Sequence, residues 1–315
     1  MQSRRVFRYT LRQQFISDNP LTPNFSIKHS RYKVHRVESI VAMGVYGRDN
    51  PQWLDHSITS IRSQSYSDFL YVIVIDGPIP ESLLAVIMKH ASLDERLVIV
   101  EGKENCGLAT CMNFAIDWSL SLQPAYFFRM DADDISESER FATQIAYLEK
   151  HSHVSILGTG LTEINEHDKK VGSRVMPLTN RQITRLLPRR CAVNHPTVCI
   201  RYKVFNDGHR YDDSLRFVED YLLWIELASH GYIFCNLKDK LLKFRRVGDF
   251  YKRRGFVKSF NEFRARFRAL RKLKRMSLYN LFYATSVLIL RLMPASIVKL
   301  AYKLDRHYLE KFIKH

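Results

Sequence analysis

Three carboxylates crowd into four residues at Asp131-Ala132-Asp133-Asp134, directly after the apolar run AYFFRM. Like charges that close repel one another. Such clusters persist where a cation, or a polyphosphate with its metal, offsets the repulsion. The donors are all hard oxygens, which suit Mg2+ or Mn2+. The bland alternative is a solvated loop, with Asp134 capping the helix that follows. A further acid, Asp76, ends the run FLYVIVI and precedes Gly77, so it is either a ligand-facing carboxylate or a turn former. A pair, Glu219-Asp220, sits in the first turn of the segment FVEDYLLWIELASHGY, where carboxylates act as bases or simply complement a helix dipole. His195 precedes Pro196 in a loop. Asn105, Gly107 and Asn113 punctuate the segment NCGLATCMN, where Asn105 is placed either to cap a helix or to meet a ligand. Arg129 and Arg140 are candidates for phosphate contact, with solvated or ion-paired roles as the simpler expectation.

These residues need elements to hold them. Regularity begins at Ser39. The apolar run ESIVAMGVY, broken by GRDNP, reads as a buried strand and a loop, and Pro51 opens a helix that Asn50 caps. FLYVIVIDGP and RLVIVEG read as further buried strands, with helices in PESLLAVIMKH, GLATCMNFAIDWSL and SERFATQIAYLEKH. AYFFRMDADD reads as a strand that ends in carboxylates, and HVSILGTG as another strand. Alternation of this kind implies right-handed crossovers and an α/β fold, a Rossmann-like, mostly parallel sheet with helices on both faces. Ligands in such sheets bind beyond the carboxyl ends of the strands, and Asp76 and Asp131–Asp134 both lie there. After residue 160 the pattern loosens. NHPTVCIRY reads as a strand leaving a loop, FVEDYLLWIELASHGY as an amphipathic helix starting near Phe217 and ended by Gly231, and LLKFRR as a last short strand.

The chain has 315 residues, 49 Lys+Arg against 32 Asp+Glu, and a net charge of +17. The charge is unevenly spread. Residues 1–36 carry eight basic and one acidic residue, residues 37–240 carry 21 and 27, and residues 241–315 carry 20 and 4. A mildly acidic body between two basic ends argues against nucleic acid as a partner. The boundaries expected are a basic N-terminal arm over 1–36, a catalytic domain over 37–250 and a basic helical region over 251–315. Five cysteines with no CxxC pair argue for a reducing compartment and against a disulfide framework. The N-terminus has no long apolar core, so no secretory signal is expected.

The order of motifs resembles a family 2 glycosyltransferase with the GT-A fold, of the bacterial surface-polysaccharide type. The opening strand, loop and helix (VAMGVYGRDNPQWLDHSITSIRSQSYSDF), VIVIDGP, ENCGLATCMNFAI, RMDADDIS, HPTVCIR and VEDYLLWIELASHGY follow in the family's sequence over about residues 38–246. The resemblance implies that Asp76 reads the base of a nucleotide-sugar donor, usually UDP-linked. It implies that Asp131 contacts the ribose or the metal shell, and that Asp133 coordinates Mn2+ or Mg2+ on the diphosphate. Asn105, Gly107 and Asn113 then help to position the donor, and His195 meets the diphosphate, the metal or the acceptor. Glu219-Asp220 matches the family's acidic pair, with Asp220 as the base of an inverting transfer. This chain reads Asp76-Gly77-Pro78 where the family commonly shows a second acid or a D-G-S run.

The C-terminal stretch mixes Arg253, Arg254, Arg264, Arg266, Arg268 and Arg271 with Phe256, Phe260, Phe263 and Phe267. It then turns apolar until Pro294 divides it. The longest charge-free run there, Met276–Leu290, is 15 residues, short of the roughly 20 that cross a bilayer. A peripheral position on the anionic cytoplasmic face of a bacterial inner membrane is expected, beside a lipid-linked glycan acceptor. The competing expectation is that these helices pack back on the catalytic domain. Two other classes fit less well: a phosphohydrolase of the haloacid dehalogenase type, whose D-x-D follows the first strand, and a non-catalytic basic binding protein.

Overall fold

A computed structural model describes residues 24–32, 36–214, 217–247 and 256–293. The chain divides into two compact units. One comprises Met1–Asp134 with Arg201–Gly208, the other Ile135–Ile200 with His209–His315.

In the first unit, strands β2 (Ser39–Val45), β3 (Phe69–Ile75), β4 (Leu97–Gly102) and β5 (Tyr126–Met130) are parallel, in the order β4-β3-β2-β5. Every residue of β3 is buried, as expected of a strand covered on both faces. Helices α1 (Pro51–Arg62), α2 (Glu81–Leu93) and α3 (Leu108–Ser119) make the crossovers. Asn50 caps α1, its side chain accepting from the N–H groups of Gln52 at 2.9 Å and Trp53 at 3.2 Å. Strand order runs outward from β2 to β4, then reverses to β5. The point of reversal leaves a crevice beyond the carboxyl ends of β2 and β5.

The N-terminal arm needs correcting. Phe25–Ser30 forms β1, antiparallel to β4, with Phe25 buried against Phe114 at a ring separation of 4.8 Å. Only alternate residues of FSIKHS face inward, as on an edge strand, and Lys28 turns outward to pair with Glu101 at 2.9 Å. Six residues of half-polar pattern inside a basic stretch gave too little periodicity to stand out. The arm's remaining residues, 1–23 and 33–35, lie outside the described residues.

The second unit is built on β7 (Val154–Ile164) and β10 (Ile233–Arg245), which are parallel. Strands β8 (Lys170–Arg174) and β9 (Cys199–Arg201) pair with β7, and β6 (Ile135–Ser136) pairs with β10, all antiparallel. The expected short strand LLKFRR is thus the end of a 13-residue strand. Its charged Lys238-Asp239-Lys240 stretch reads as a break, but it is an irregularity in the ladder opposite Gly160. A Cβ on Gly160 would lie 3.0 Å from the Lys238 carbonyl and 3.2 Å from that of Asp239. Helices α4 (Arg140–Lys150), α5 (Asn180–Leu186) and α7 (Glu219–Ser229) pack around this sheet, while the short α6 (Lys203–Asn206) belongs to the first unit. Helix α7 starts two residues later than its pattern suggested. Phe217 precedes it, exposed and at φ 73°, so it is not part of the apolar face. Gly231, at φ 81°, ends it as expected. Helices α8 (Phe256–Lys272) and α9 (Leu278–Leu292) follow, and Pro294 lies outside the described residues.

Candidate active site

The crevice at the strand reversal holds the acid cluster. Carboxylate oxygens of Asp131, Asp133 and Asp134 lie within 4.8 Å of one another. Asp134 is fully buried and Asp131 and Asp133 are half-buried. Asp134 is followed by β6, and the nearest helix, α4, starts at Arg140 after Glu139, so the helix-cap alternative for Asp134 is wrong. Arg129, buried on β5, forms an ion pair with Asp131. The Ser57 hydroxyl on α1 donates to the Asp131 carbonyl at 2.8 Å and fixes the turn from below. Three oxygens this close, with one buried, suit a small hard divalent cation that neutralises them.

A fourth acid faces the same crevice and was missed in the sequence. Asp49, in the loop after β2, accepts from the Tyr46 N–H at 2.9 Å. Burial, joined by the negative charges of Asp133 and Asp131, pushes its pKa up to about 7 against the opposing hydrogen bond from Tyr46. The strand-end rule that singled out Asp76 and Asp131 applies equally to the GRDN loop, where that signal lay.

Asp76 is held by its own unit. Its Oδ1 accepts from the N–H groups of Cys106 at 2.7 Å and Gly107 at 3.2 Å, and its Oδ2 accepts from Gly107 N–H at 3.0 Å and from the Asn105 side chain at 2.9 Å. Asn105 therefore does not cap α3. That helix has Gly107 at its cap position, at φ 92°, without a side-chain cap. Gly77, at φ 80°, lets the two loops touch, since a Cβ there would sit 2.7 Å from the Asn105 nitrogen. The four residues Asp76, Gly77, Asn105 and Gly107 form one interlocked rim. Asn113 is buried on α3.

In the second unit, Glu219 and Asp220 form the first turn of α7. Glu219 Oε2 is buried with no hydrogen-bond partner among the described residues, an expensive state for a carboxylate oxygen unless a ligand donates to it. Cys191 Sγ lies 3.8 Å from Asp220 Oδ2. Burial, reinforced by the Asp220 charge, pushes the Cys191 thiol up and keeps it protonated. Nothing in the sequence linked Cys191 to this acid. His195 sits in a single 3-10 turn, buried, with Nε2 3.0 Å from the Tyr211 hydroxyl and its ring edge-on to Trp224. Arg140 is not solvated. It is fully buried, donating to Gln144 Oε1 at 3.1 Å and the Val198 carbonyl at 3.4 Å. His209, Glu226 and His230 also bring ligand-type atoms within 4.8 Å, but Lys272 pairs with the Glu226 carboxylate and supplies that positive charge itself.

A parallel α/β sheet with an acid cluster at its switch point and a glycine-bearing rim is a layout suited to binding a nucleotide. The family model described as glycosyl transferase family 2 matches residues 40–208. The amylovoran biosynthesis glycosyltransferase AmsE of Erwinia amylovora is 34% identical over 271 residues, covering 84% of this chain and 98% of that one. A UDP-Gal:alpha-D-GlcNAc-diphosphoundecaprenol beta-1,3-galactosyltransferase of Escherichia coli is 27% identical, covering 72% and 81%. The fold matches that of the mannosyltransferase PcManGT from Pyrobaculum calidifontis in complex with GDP-Man and Mn2+, at a TM-score of 0.52 and 12% identity, over 98% of this chain and 90% of that one. The chain belongs to glycosyl transferase family 2. It is a GT-A-fold enzyme that transfers a sugar from a nucleotide-sugar in the synthesis of surface polysaccharide.

Proposed function

We propose that the enzyme moves a hexose or N-acetylhexosamine from a UDP-sugar to a hydroxyl of a lipid-linked glycan, with inversion at the anomeric carbon. The observation that carries this reading is the triad of carboxylates Asp131, Asp133 and Asp134 at the switch point of the sheet. Asp133 and Asp131 would hold Mn2+ or Mg2+. A divalent cation bound there offsets charge on the departing nucleoside diphosphate. The interlocked rim of Asp76, Asn105 and Gly107 shapes the base end of the donor, and Asn113 on α3 helps to position it. Asp220 takes the proton from the acceptor hydroxyl as that oxygen attacks the anomeric carbon and the bond to the diphosphate breaks. Glu219 supplies its buried free oxygen to a hydroxyl of the substrate, and His195 braces the same unit through Tyr211. The Escherichia coli relative's named donor and diphosphoundecaprenol acceptor support the choice of substrates. The Mn2+ complex of the structural neighbour supports the cation. An anionic cytoplasmic membrane surface is the setting such an acceptor requires. No helix among the described residues is long and apolar enough to cross a membrane.

The test is a panel of nucleotide-sugars with a lipid-diphosphate acceptor mimic, read by product mass and anomeric configuration. Asp220→Asn lowers kcat by at least about a hundredfold while donor binding stays near wild type. Asp133→Ala loses cation-dependent donor binding. Equal turnover in Asp220→Asn removes the base from this scheme, and full activity in chelator removes the cation.

A further inference from the structure

The last two described helices leave an apolar stripe uncovered. Along α9 the exposed positions Leu278, Phe282, Thr285 and Ile289 are spaced four, three and four residues apart, with Met293 next in line at the C-cap. That spacing places them on one helical face. Leu278 is 88% exposed and Phe282 73% exposed, and Tyr279 and Met276 lie exposed beside them. The opposite side is seated, with Ala284 buried and α9 packed on α8. Exposed basic residues Arg271, Lys274 and Arg275 crowd the turn between the two helices. From residue 263 to residue 304 there are ten Lys/Arg and no Asp or Glu.

We infer that the α8–α9 hairpin docks on an anionic phospholipid surface, with the Leu278–Phe282–Ile289 stripe buried at the boundary between headgroups and acyl chains. Arg271, Lys274 and Arg275 then meet the lipid phosphates. Charge selects this occupant over a second copy of the chain, because two such stripes brought together would also bring together two uncompensated basic belts. At 15 residues α9 is about 22 Å long, short of the roughly 30 Å hydrocarbon core, so it lies in the plane of the surface. The hairpin is also tied to the acidic turn of α7 through one short segment. Arg266 on α8 donates to the Arg189 carbonyl at 2.9 Å, and Arg189 donates to Asn280 on α9 at 3.2 Å. The Tyr221 hydroxyl on α7 donates to the Leu187 carbonyl, and Cys191 of the same segment lies beside Asp220. A docked hairpin thereby fixes how the acidic turn is presented to the surface. This inference rests on the lipid-linked acceptor proposed above.

Co-sedimentation of the full chain with vesicles of phosphatidylglycerol and phosphatidylethanolamine, or of phosphatidylcholine alone, tests it, alongside transfer to a water-soluble acceptor. Wild type binds the anionic vesicles, and binding weakens as KCl is raised. Leu278→Glu with Phe282→Glu weakens binding at least about tenfold, and so does the triple charge reversal of Arg271, Lys274 and Arg275 to Glu. Transfer to the soluble acceptor stays at the wild-type level in both variants. Wild type that ignores anionic vesicles overturns the inference, as does the double variant binding like wild type. A double variant with unchanged vesicle binding and a Tm several degrees lower also overturns it, by showing that the stripe is covered within the chain. Loss of transfer to every acceptor by the wild-type chain, with vesicle binding intact, would count against the proposed reaction and leave docking standing.

Discussion

Asp76 is the residue to which the structure adds most. The family resemblance assigns it to the base of the donor, whereas its two oxygens take four hydrogen bonds from Asn105, Cys106 and Gly107. It acts first as a clamp. Asp76→Asn places an amide N–H against the N–H groups of Cys106 and Gly107 and lowers unfolding stability by about 2 kcal/mol, measurable by urea denaturation. Donor KM rises in the same variant, because the rim loosens. Asp131, Asp133 and Asp134 were legible because repulsion among close charges demands an explanation wherever it occurs. Asp49 was not, because its carboxylate joins that cluster only when two separate loops meet. Arg140 misled for a related reason. An arginine next to a serine- and acid-rich turn looks solvated until the carbonyl of Val198, 58 residues away, closes over it.

At the level of elements, α1 and α2 are joined by a polar lock. Arg62 donates to His90 Nδ1 at 2.9 Å, which leaves the Nε2 proton to meet Asp55 at 3.0 Å. Burial lowers the His90 pKa against the pull of Asp55, with Arg62 and Lys89 adding to the lowering. The neutral ring is therefore the folded form. The unfolded state takes up a proton first as pH falls below the ordinary histidine range, near 6.5. This contribution to stability is present above that range and is lost as pH falls through the folded-state value. Thermal unfolding between pH 8 and pH 5 should show a larger loss for wild type than for His90→Gln. In the second unit, the fully buried Glu163 on β7 pairs with Arg174 at 3.0 Å and Arg246 at 3.3 Å. Glu163→Gln leaves both guanidinium groups short of their counter-charge and costs about 3 kcal/mol, read as a lower denaturation midpoint. Elements of long uniform pattern, such as β2, β3 and α1, were legible from periodicity alone. The edge strand β1 and the irregular middle of β10 were not. One has three inward residues, and the other interrupts its pattern where backbone geometry, rather than side chains, accommodates Gly160.

Over the whole molecule, charge was the clearest long-range signal. An acidic body with a basic C-terminal end argued against a nucleic-acid surface. It also pointed to the hairpin whose sidedness only the structure reveals, since the sequence gives the 15-residue run without saying which face of it packs on α8. The docking proposed for the bare face of α9 would have a kinetic consequence. An enzyme held on a bilayer searches for its acceptor in two dimensions, so area replaces volume in setting how often they meet. Spreading a fixed amount of lipid-linked acceptor through more inert lipid should then slow turnover at constant bulk concentration, while the same dilution leaves a water-soluble acceptor unaffected.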